Sequence, residues 1–135
     1  MSRINDYSRM FPPIRDKHGN KLRLCRLCAK KLPKNRSSWC CNEHRDIALI
    51  KCNPHSYRAT TLNHIGSVCY LCSYDTMTKQ YVGWFICSGE IHHVVMVQDG
   101  GKNDVENLVL LCHDCHIRVH KWLRMVKKIL EAEQT

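Results

Sequence analysis

The chain has 135 residues, of which 44% are hydrophobic and 24% are charged. This composition is typical of a globular domain and excludes a largely disordered chain. The formal net charge is +9, which favours a polyanionic partner, most often nucleic acid. The positive surplus lies in residues 1–68, with 14 Lys and Arg against 4 Asp and Glu, whereas residues 69–135 carry 7 against 8.

Ten cysteines are present. The sequence has no N-terminal apolar stretch typical of a secretory signal and no apolar run long enough to cross a membrane. We therefore expect a cytoplasmic protein without a membrane partner. In that compartment, closely spaced cysteines are typical of metal sites rather than of disulfides.

Residues 1–24 form a polar, basic N-terminal arm without helical or strand periodicity. Turn signals stand at Pro12-Pro13 and at His18-Gly19-Asn20. Two interpretations stay open for this arm: a segment that lies along a phosphate backbone, and a disordered tail.

Residues 25–64 are predicted to form a zinc-knuckle and helical region. Cys25 and Cys28 form a Cys-x-x-Cys pair, and His44 with either Cys40 or Cys41 completes a tetrahedral site of three cysteines and one histidine. Cys40 fits better, because it precedes His44 by one turn of a probable helix. The basic loop between the pairs supplies four candidate DNA contacts, Lys30, Lys31, Lys34 and Arg36. Beyond it, Asn53-Pro54 should end the helix, and residues 57–64 favour a second short helix.

Residues 65–135 begin with a second Cys-x-x-Cys pair, Cys69 and Cys72. Cys112 and Cys115 form another pair forty residues later, so the four predict a four-cysteine zinc site. The β-branched and aromatic residues 81–86 predict a strand.

The next segment favours a β-hairpin, with strands over residues 91–97 and 105–111 and a polar Gly-Gly loop between them. Apolar positions three and four apart predict one helix over residues 113–133. On that helix, His116 and His120 share a face and can bind one ion. A strand laid across the helix can add a third imidazole from His92 or His93.

The order His-His, Gly-Gly, Asn-Leu and Cys-x-x-Cys-His resembles the HNH nucleases of the ββα-metal fold, over about Cys69–Lys121. The upstream cysteine pattern is similar to an extra zinc knuckle found ahead of the core in some bacterial and phage HNH proteins. The resemblance implies a small zinc-stabilised α+β fold, with a ββα-metal core preceded by the zinc knuckle of three cysteines and one histidine.

The resemblance also implies residue roles. His93 corresponds to the general base that activates water, and Asn107 to the asparagine that braces the loop and orients that base. The implied ligands of the catalytic ion are His92, His116 and His120. The implied ligands of two structural zinc ions are Cys69, Cys72, Cys112 and Cys115, and Cys25, Cys28, Cys40 and His44.

The sequence departs from the family's common pattern at two positions. Many members have Asp where His92 stands, and many have no ligand at His120. Three imidazoles favour Zn²⁺, Ni²⁺, Co²⁺ or Mn²⁺ and weaken the case for Mg²⁺ as the only activator. We therefore expect two structural zinc ions and one catalytic divalent ion, with Mg²⁺, Mn²⁺, Ni²⁺, Co²⁺ and Zn²⁺ all open.

The predicted function is a metal-dependent endonuclease that hydrolyses DNA phosphodiester bonds in a bacterial or phage-infected cytosol. Homing, restriction or defence, and phage packaging all fit, as do a nick and a double-strand cut. The alternative is a non-catalytic zinc-binding module that grips nucleic acid. The sequence gives no indication of the oligomeric state.

Overall fold

The computed structural model describes residues 6–79 and 85–134. Within these ranges the chain forms a small α+β fold, with two two-stranded sheets and a long final helix. The elements are α1 (Asp6–Met10), α2 (Asn42–Cys52), α3 (Arg58–Ile65), β1 (Met77–Lys79), β2 (Phe85–Cys87), β3 (Glu90–His93), β4 (Leu108–Leu111) and α4 (His113–Glu133). The succession β3, β4, α4 is the ββα unit expected from the sequence.

Both sheets are antiparallel pairs of short strands. In the first, β1 pairs with β2, so the predicted strand of residues 81–86 contributes its last two residues, while residues 81–84 lie outside the described ranges. In the second, β3 pairs with β4, with Glu90 opposite Leu111 and His93 opposite Leu108. This second pair carries the two adjacent histidines.

The hairpin strands predicted over residues 91–97 and 105–111 are shorter in the structure at the ends next to the loop. Strand β3 stops at His93, and β4 begins at Leu108. The Val94 amide still donates to the Asn107 carbonyl at 2.9 Å. At the next residue, Val95, the side chain of Asn107 forms the hydrogen bonds that the backbone of a neighbouring strand would otherwise form. Its Oδ1 accepts from the Val95 amide at 2.8 Å, and its Nδ2 donates to the Val95 carbonyl at 3.1 Å. Because a side chain satisfies Val95, the backbone ladder ends there.

The helix predictions are confirmed with small shifts in their bounds. Helix α2 ends at Cys52, before the predicted break at Asn53-Pro54, and α3 lies one residue later than expected. Helix α4 spans the predicted residues. None of the helices in the described ranges combines the length and apolarity needed to cross a bilayer.

The two Cys-x-x-Cys turns that begin at Cys25 and Cys69 share one backbone conformation. The residue after each pair donates its amide to the first cysteine's carbonyl, Ala29 to Cys25 at 2.8 Å and Ser73 to Cys69 at 3.0 Å. Ala29 and Ser73 both have positive φ angles, 62° and 63°. Left-handed backbone costs a non-glycine residue roughly 1–2 kcal/mol, so other interactions must hold both turns.

Among the described residues, three small clusters of buried side chains replace a single large core. The first surrounds Trp39, and Phe11 from the predicted N-terminal arm packs against that indole with ring centroids 6.0 Å apart. From α1 onward the arm therefore folds back onto the first knuckle. The third cluster joins Cys69, Leu111 and Cys115.

The second cluster attaches the upstream helices to the sheet of histidines. Ile50, near the end of α2, is 1% exposed and packs with Ile91 of β3 and Leu110 of β4. The position of α2 relative to the hairpin therefore depends on this contact.

Replacing Ile50 by alanine should lower the free energy of unfolding by about 2–5 kcal/mol, because it leaves a cavity between α2 and the hairpin. The measurement is urea denaturation followed by circular dichroism. Met125→Ala, at a position 55% exposed on α4, is the control and should change that free energy by no more than about 0.5 kcal/mol. Equal effects of the two changes would contradict the assigned core.

Candidate functional site: three imidazoles between two cysteine clusters

The first candidate metal cluster comprises Cys25, Cys28, Cys40 and His44, whose ligand atoms all lie within 4.8 Å of one another. The Cys28 and Cys40 sulfurs are 3.8 Å apart, and His44 Nδ1 lies 3.3 Å from the Cys40 sulfur. Two sulfurs bound tetrahedrally to one zinc at about 2.3 Å stand about 3.8 Å apart. Cys41, the sequence alternative, places its sulfur 3.8 Å from that of Cys40 but outside this group of four.

The second cluster comprises Cys69, Cys72, Cys112 and Cys115. The Cys72 and Cys112 sulfurs are 3.7 Å apart, again the edge of a zinc–thiolate tetrahedron. Cys112 immediately precedes α4, and Cys115 lies in its first turn. The cluster therefore joins the second knuckle to the start of the helix that carries His116.

The protonation of these thiols also fits a cation. Burial opposes ionisation of Cys25, but hydrogen bonds from the backbone amides of Cys28 and Cys40 outweigh it and lower its pKa to about 6. Burial and the neighbouring thiols raise the pKa of Cys40 to about 12. If all three thiols of this cluster were ionised, a bound positive ion would neutralise the repulsion between them.

The third cluster consists of three imidazoles, those of His92, His116 and His120. His92, on β3, lies across the first two turns of α4, with ring centroids 5.4 Å from His116 and 5.2 Å from His120. The Nε2 atoms of His116 and His120 are 2.9 Å apart. Two nitrogens bound to one ion at about 2.1 Å come about 3.0 Å apart when their bonds are at right angles. The three rings thus match the donor set of a divalent transition metal.

The surroundings favour the neutral form of two of these imidazoles, those of His92 and His120. Burial lowers the pKa of His92 to about 4, and repulsion from His116, His120 and His93 contributes. Burial and His116 also lower the pKa of His120. At neutral pH these imidazoles keep the lone pairs that a metal ion needs.

Glu90 orients one of the three rings. His116 Nδ1 donates to one oxygen of the Glu90 carboxylate, which leaves Nε2 facing His120. The second oxygen accepts from His113 Nδ1 at 3.0 Å, and this bond, with that from His116, holds the pKa of the Glu90 carboxyl below its usual value. A carboxylate behind a histidine ligand fixes the ring's tautomer and raises its basicity.

His93 follows His92 at the end of β3 and lies outside the group of three imidazoles. Its Nε2 lies 2.7 Å from Oδ1 of Asn103, in the loop between β3 and β4. Its ring centroid is 6.1 Å from that of His55, in the turn between α2 and α3. The proposed base therefore contacts both the hairpin loop and the upstream region.

Asn107 lies at the base of the Gly-Gly loop. In addition to Val95, its amide nitrogen donates to the Lys102 carbonyl at 2.9 Å. The loop is tight at this point: Gly100 has a φ of +90°, and a Cβ on Gly101 would stand 1.8 Å from the Val95 oxygen. The two glycines and Asn107 thus form one interlocked turn, next to the strand end that holds His93.

An open cleft of about 460 Å³ borders two of the three imidazoles, those of His116 and His120. His116 and His120 lie on one side, with Arg124 one turn further along α4, and His55 and Arg58 also line it. Arg58 also has a structural role, because its guanidinium donates hydrogen bonds to the backbone carbonyls of Cys87, at 3.0 Å, and Gly89.

The predicted DNA contacts of the first knuckle occupy two kinds of position. Lys30, Lys31 and Lys34 are exposed. Arg36 is partly buried and donates to the Asn42 side chain at 2.8 Å. Three of the four basic groups are thus on the surface, and the fourth braces the start of α2.

Comparison with known proteins agrees with the location of this site. Residues 84–121 match the family model described as HNH endonuclease. This stretch holds His92, His93, Asn107, His116 and His120, so the match covers every residue of the predicted catalytic site. HNH domains are generally nuclease domains, which supports nuclease activity and a nucleic-acid substrate in coarse terms.

A stretch of 30 residues is 40% identical to "Anaredoxin" of Nostoc sp. (strain PCC 7120 / SAG 25.82 / UTEX 2576), covering 22% of this chain and 40% of that protein. The chain thus spans about two fifths of the length of the curated relative that it matches. No solved structure matches the chain.

Three residues of the site were missed in the sequence: Glu90, Asn103 and His55. Glu90 carried a usable signal, because it stands two positions before His92 and strand residues two apart share a face. Asn103 and His55 carried none, since their contacts depend on how a loop and a turn fold.

Replacing Asn107 by alanine should lower the free energy of unfolding by about 1–3 kcal/mol, because the Val95 and Lys102 backbone groups lose their partner. Thermal or urea unfolding measures the change. Asn63→Ala, on the exposed surface of α3, is the matched control and should have an effect below about 0.5 kcal/mol. No difference between the two variants would show that Asn107 does not hold the turn.

Proposed function

We propose that the protein is a metal-dependent HNH endonuclease that hydrolyses phosphodiester bonds in DNA. The observation that carries this proposal is the convergence of His92, His116 and His120, with a fourth imidazole, that of His93, next to His92 on the same strand. A purely structural metal site is closed by its four ligands. A site of three ligands, two of which line an open cleft, leaves coordination positions for a substrate and water.

The fit of the site to a divalent ion rests on its neutral nitrogen donors and on the Glu90 carboxylate behind His116. When bound there, such an ion would polarise the scissile phosphate and neutralise charge on the departing 3′ oxygen. His92, His116 and His120 are the residues that would hold it. Their nitrogen-only character favours Mn²⁺, Co²⁺, Ni²⁺ or Zn²⁺ over Mg²⁺.

His93 is proposed to accept a proton from the water that attacks phosphorus. A neutral imidazole has a lone pair on one ring nitrogen, and that nitrogen can accept a proton from water. Asn107 does not titrate, and its proposed part is to fix the end of β3 so that the His93 ring stays in place.

Two features support DNA as the substrate. The basic surplus of residues 1–68, with exposed Lys30, Lys31 and Lys34, suits a phosphate backbone. Arg124, beside the imidazoles in the cleft, adds positive charge where a phosphate would sit. The two cysteine clusters are proposed to hold one structural zinc ion each, the upstream one fixing the region that binds the duplex.

Plasmid DNA incubated with the zinc-loaded protein and added Mn²⁺, Co²⁺, Ni²⁺ or Mg²⁺ should be nicked or linearised. His93→Ala should slow this at least about 100-fold, the usual contribution of a general base. Agarose gels under single-turnover conditions measure the rate. His64→Ala, at a histidine on α3 that pairs with Asp46 at 3.3 Å, is the control and should cut at the wild-type rate.

Cleavage that survives His93→Ala would refute the role of that residue. DNA binding without cleavage under any of the four ions would instead favour the non-catalytic zinc-binding module.

Metal analysis of the purified protein should find two tightly held zinc ions per chain. Cys112→Ser should release one of them and unfold the hairpin and α4, because zinc of this kind supplies folding energy directly. Elemental analysis by mass spectrometry, paired with circular dichroism, measures both effects. Cys41→Ser should leave both zinc ions bound, and loss of zinc from that variant would mean that Cys41 rather than Cys40 is the ligand.

A further inference from the structure

We propose that Asn103 is a positioning residue that fixes the tautomer and orientation of His93, and that the main chain of helix α2 fixes Asn103 in turn. This inference rests on the proposed function, because it concerns the group assigned there as the base. The elements involved lie on both sides of residue 84, where the family match begins.

The orientation of the Asn103 amide follows from its two partners. Its Nδ2 donates to the Lys51 carbonyl at 3.0 Å, and its Oδ1 lies 2.7 Å from His93 Nε2. A carbonyl can only accept a hydrogen bond, so the amide nitrogen must face Lys51. The amide oxygen is therefore the atom that faces His93.

An amide oxygen also only accepts, so His93 must carry its proton on Nε2 and donate it to Asn103. The lone pair of a neutral His93 then resides on Nδ1, the nitrogen left to take a proton from water. The hydrogen bond also prevents the ring from turning about its χ2 angle. Asn103 thus selects which nitrogen acts and where that nitrogen points.

The Lys51 carbonyl suits this task because of its place in α2. Lys51 is the penultimate residue of that helix, and the last four carbonyls of a helix have no amide partner within it. Asn103 supplies a donor to one of them. The same contact is reinforced by the Lys51 ammonium, which pairs with Asp104 at 2.9 Å, and by burial of Ile50 against the hairpin.

The upstream helical region is therefore part of the catalytic apparatus, and not only a DNA-binding extension. A path of two hydrogen bonds runs from the end of α2 through Asn103 to His93. Displacing α2 from the hairpin would release Asn103 and, with it, the base.

The test compares Asn103→Ala and Asn103→Asp with the wild type by two measurements. The first is ¹H–¹⁵N NMR of the histidine ring, in which a hydrogen-bonded Nε2 proton of His93 exchanges slowly with solvent. The second is the DNA cleavage rate at saturating protein, together with the affinity for uncut DNA in EDTA. Asn63→Ala serves as the control in both.

Asn103→Ala should lose the slowly exchanging Nε2 proton and cut on the order of 10–100 times more slowly, with DNA affinity within about twofold of the wild type. Asn103→Asp keeps an oxygen acceptor for His93 but cannot donate to Lys51. It should retain the Nε2 proton and cut faster than Asn103→Ala. An unchanged Nε2 proton and cleavage rate in Asn103→Ala would overturn the inference.

If Asn103→Ala does not fold, the Asn103→Asp variant tests the inference. Absence of the slowly exchanging Nε2 proton of His93 from a folded Asn103→Asp protein would then overturn the inference. If the wild type cuts no DNA with any divalent ion, the proposed function fails. The NMR comparison still decides whether Asn103 positions His93.

Discussion

The arrangement of the whole site depends on the four-cysteine cluster formed by Cys69, Cys72, Cys112 and Cys115. Within the described ranges, the chain offers only small hydrophobic clusters, so the zinc cross-link proposed at this point would have a large effect on stability. Two of the four sulfurs belong to a tight turn and two flank the start of α4. The direction in which α4 leaves the hairpin is therefore fixed within its first turn.

That direction determines where the imidazoles lie. His116 directly follows Cys115, and His120 lies one turn later on the same face. His92 reaches them from β3, while Glu90, two residues earlier on the same strand, holds the far side of the His116 ring. The two groups are thus adjacent along the helix: Cys115 belongs to the four-cysteine cluster, whereas His116 and His120 line an open cleft.

The contribution of the upstream region is geometric as well as electrostatic. Its positive charge suits a polyanion, but the end of α2 also touches the hairpin loop through Ile50 and the Lys51 carbonyl. Its following turn brings His55 near His93. The stretch that matches the HNH family therefore does not by itself contain every contact that surrounds the proposed base.

Residue spacing in the sequence was sufficient for the features that depend on local geometry. Cysteines three apart in each Cys-x-x-Cys pair and histidines four apart on α4 predicted pairs of ligands within the three clusters, because a turn or a helix brings such residues together without help from the rest of the chain. The helix bounds followed from apolar periodicity and from Asn53-Pro54 for the same reason.

Features that depend on a single side-chain contact could not be predicted in this way. The strands ended early because the Asn107 amide, rather than a backbone neighbour, satisfied Val95. Asn103 looked like an ordinary loop residue until the fold placed it between His93 and Lys51. Glu90 is the exception, since its alternation with His92 along one strand is visible in the sequence.

The most direct test of the account is to map the ends produced from a duplex DNA labelled at either terminus, using zinc-loaded protein with and without added Mn²⁺. Attack by water opposite a 3′ leaving oxygen predicts 5′-phosphate and 3′-hydroxyl ends, formed only when the ion is added. DNA ends with 5′-hydroxyl and 3′-phosphate groups would contradict a hydrolytic site built on His92, His116 and His120. Cutting in EDTA at the rate seen with Mn²⁺ would contradict it as well.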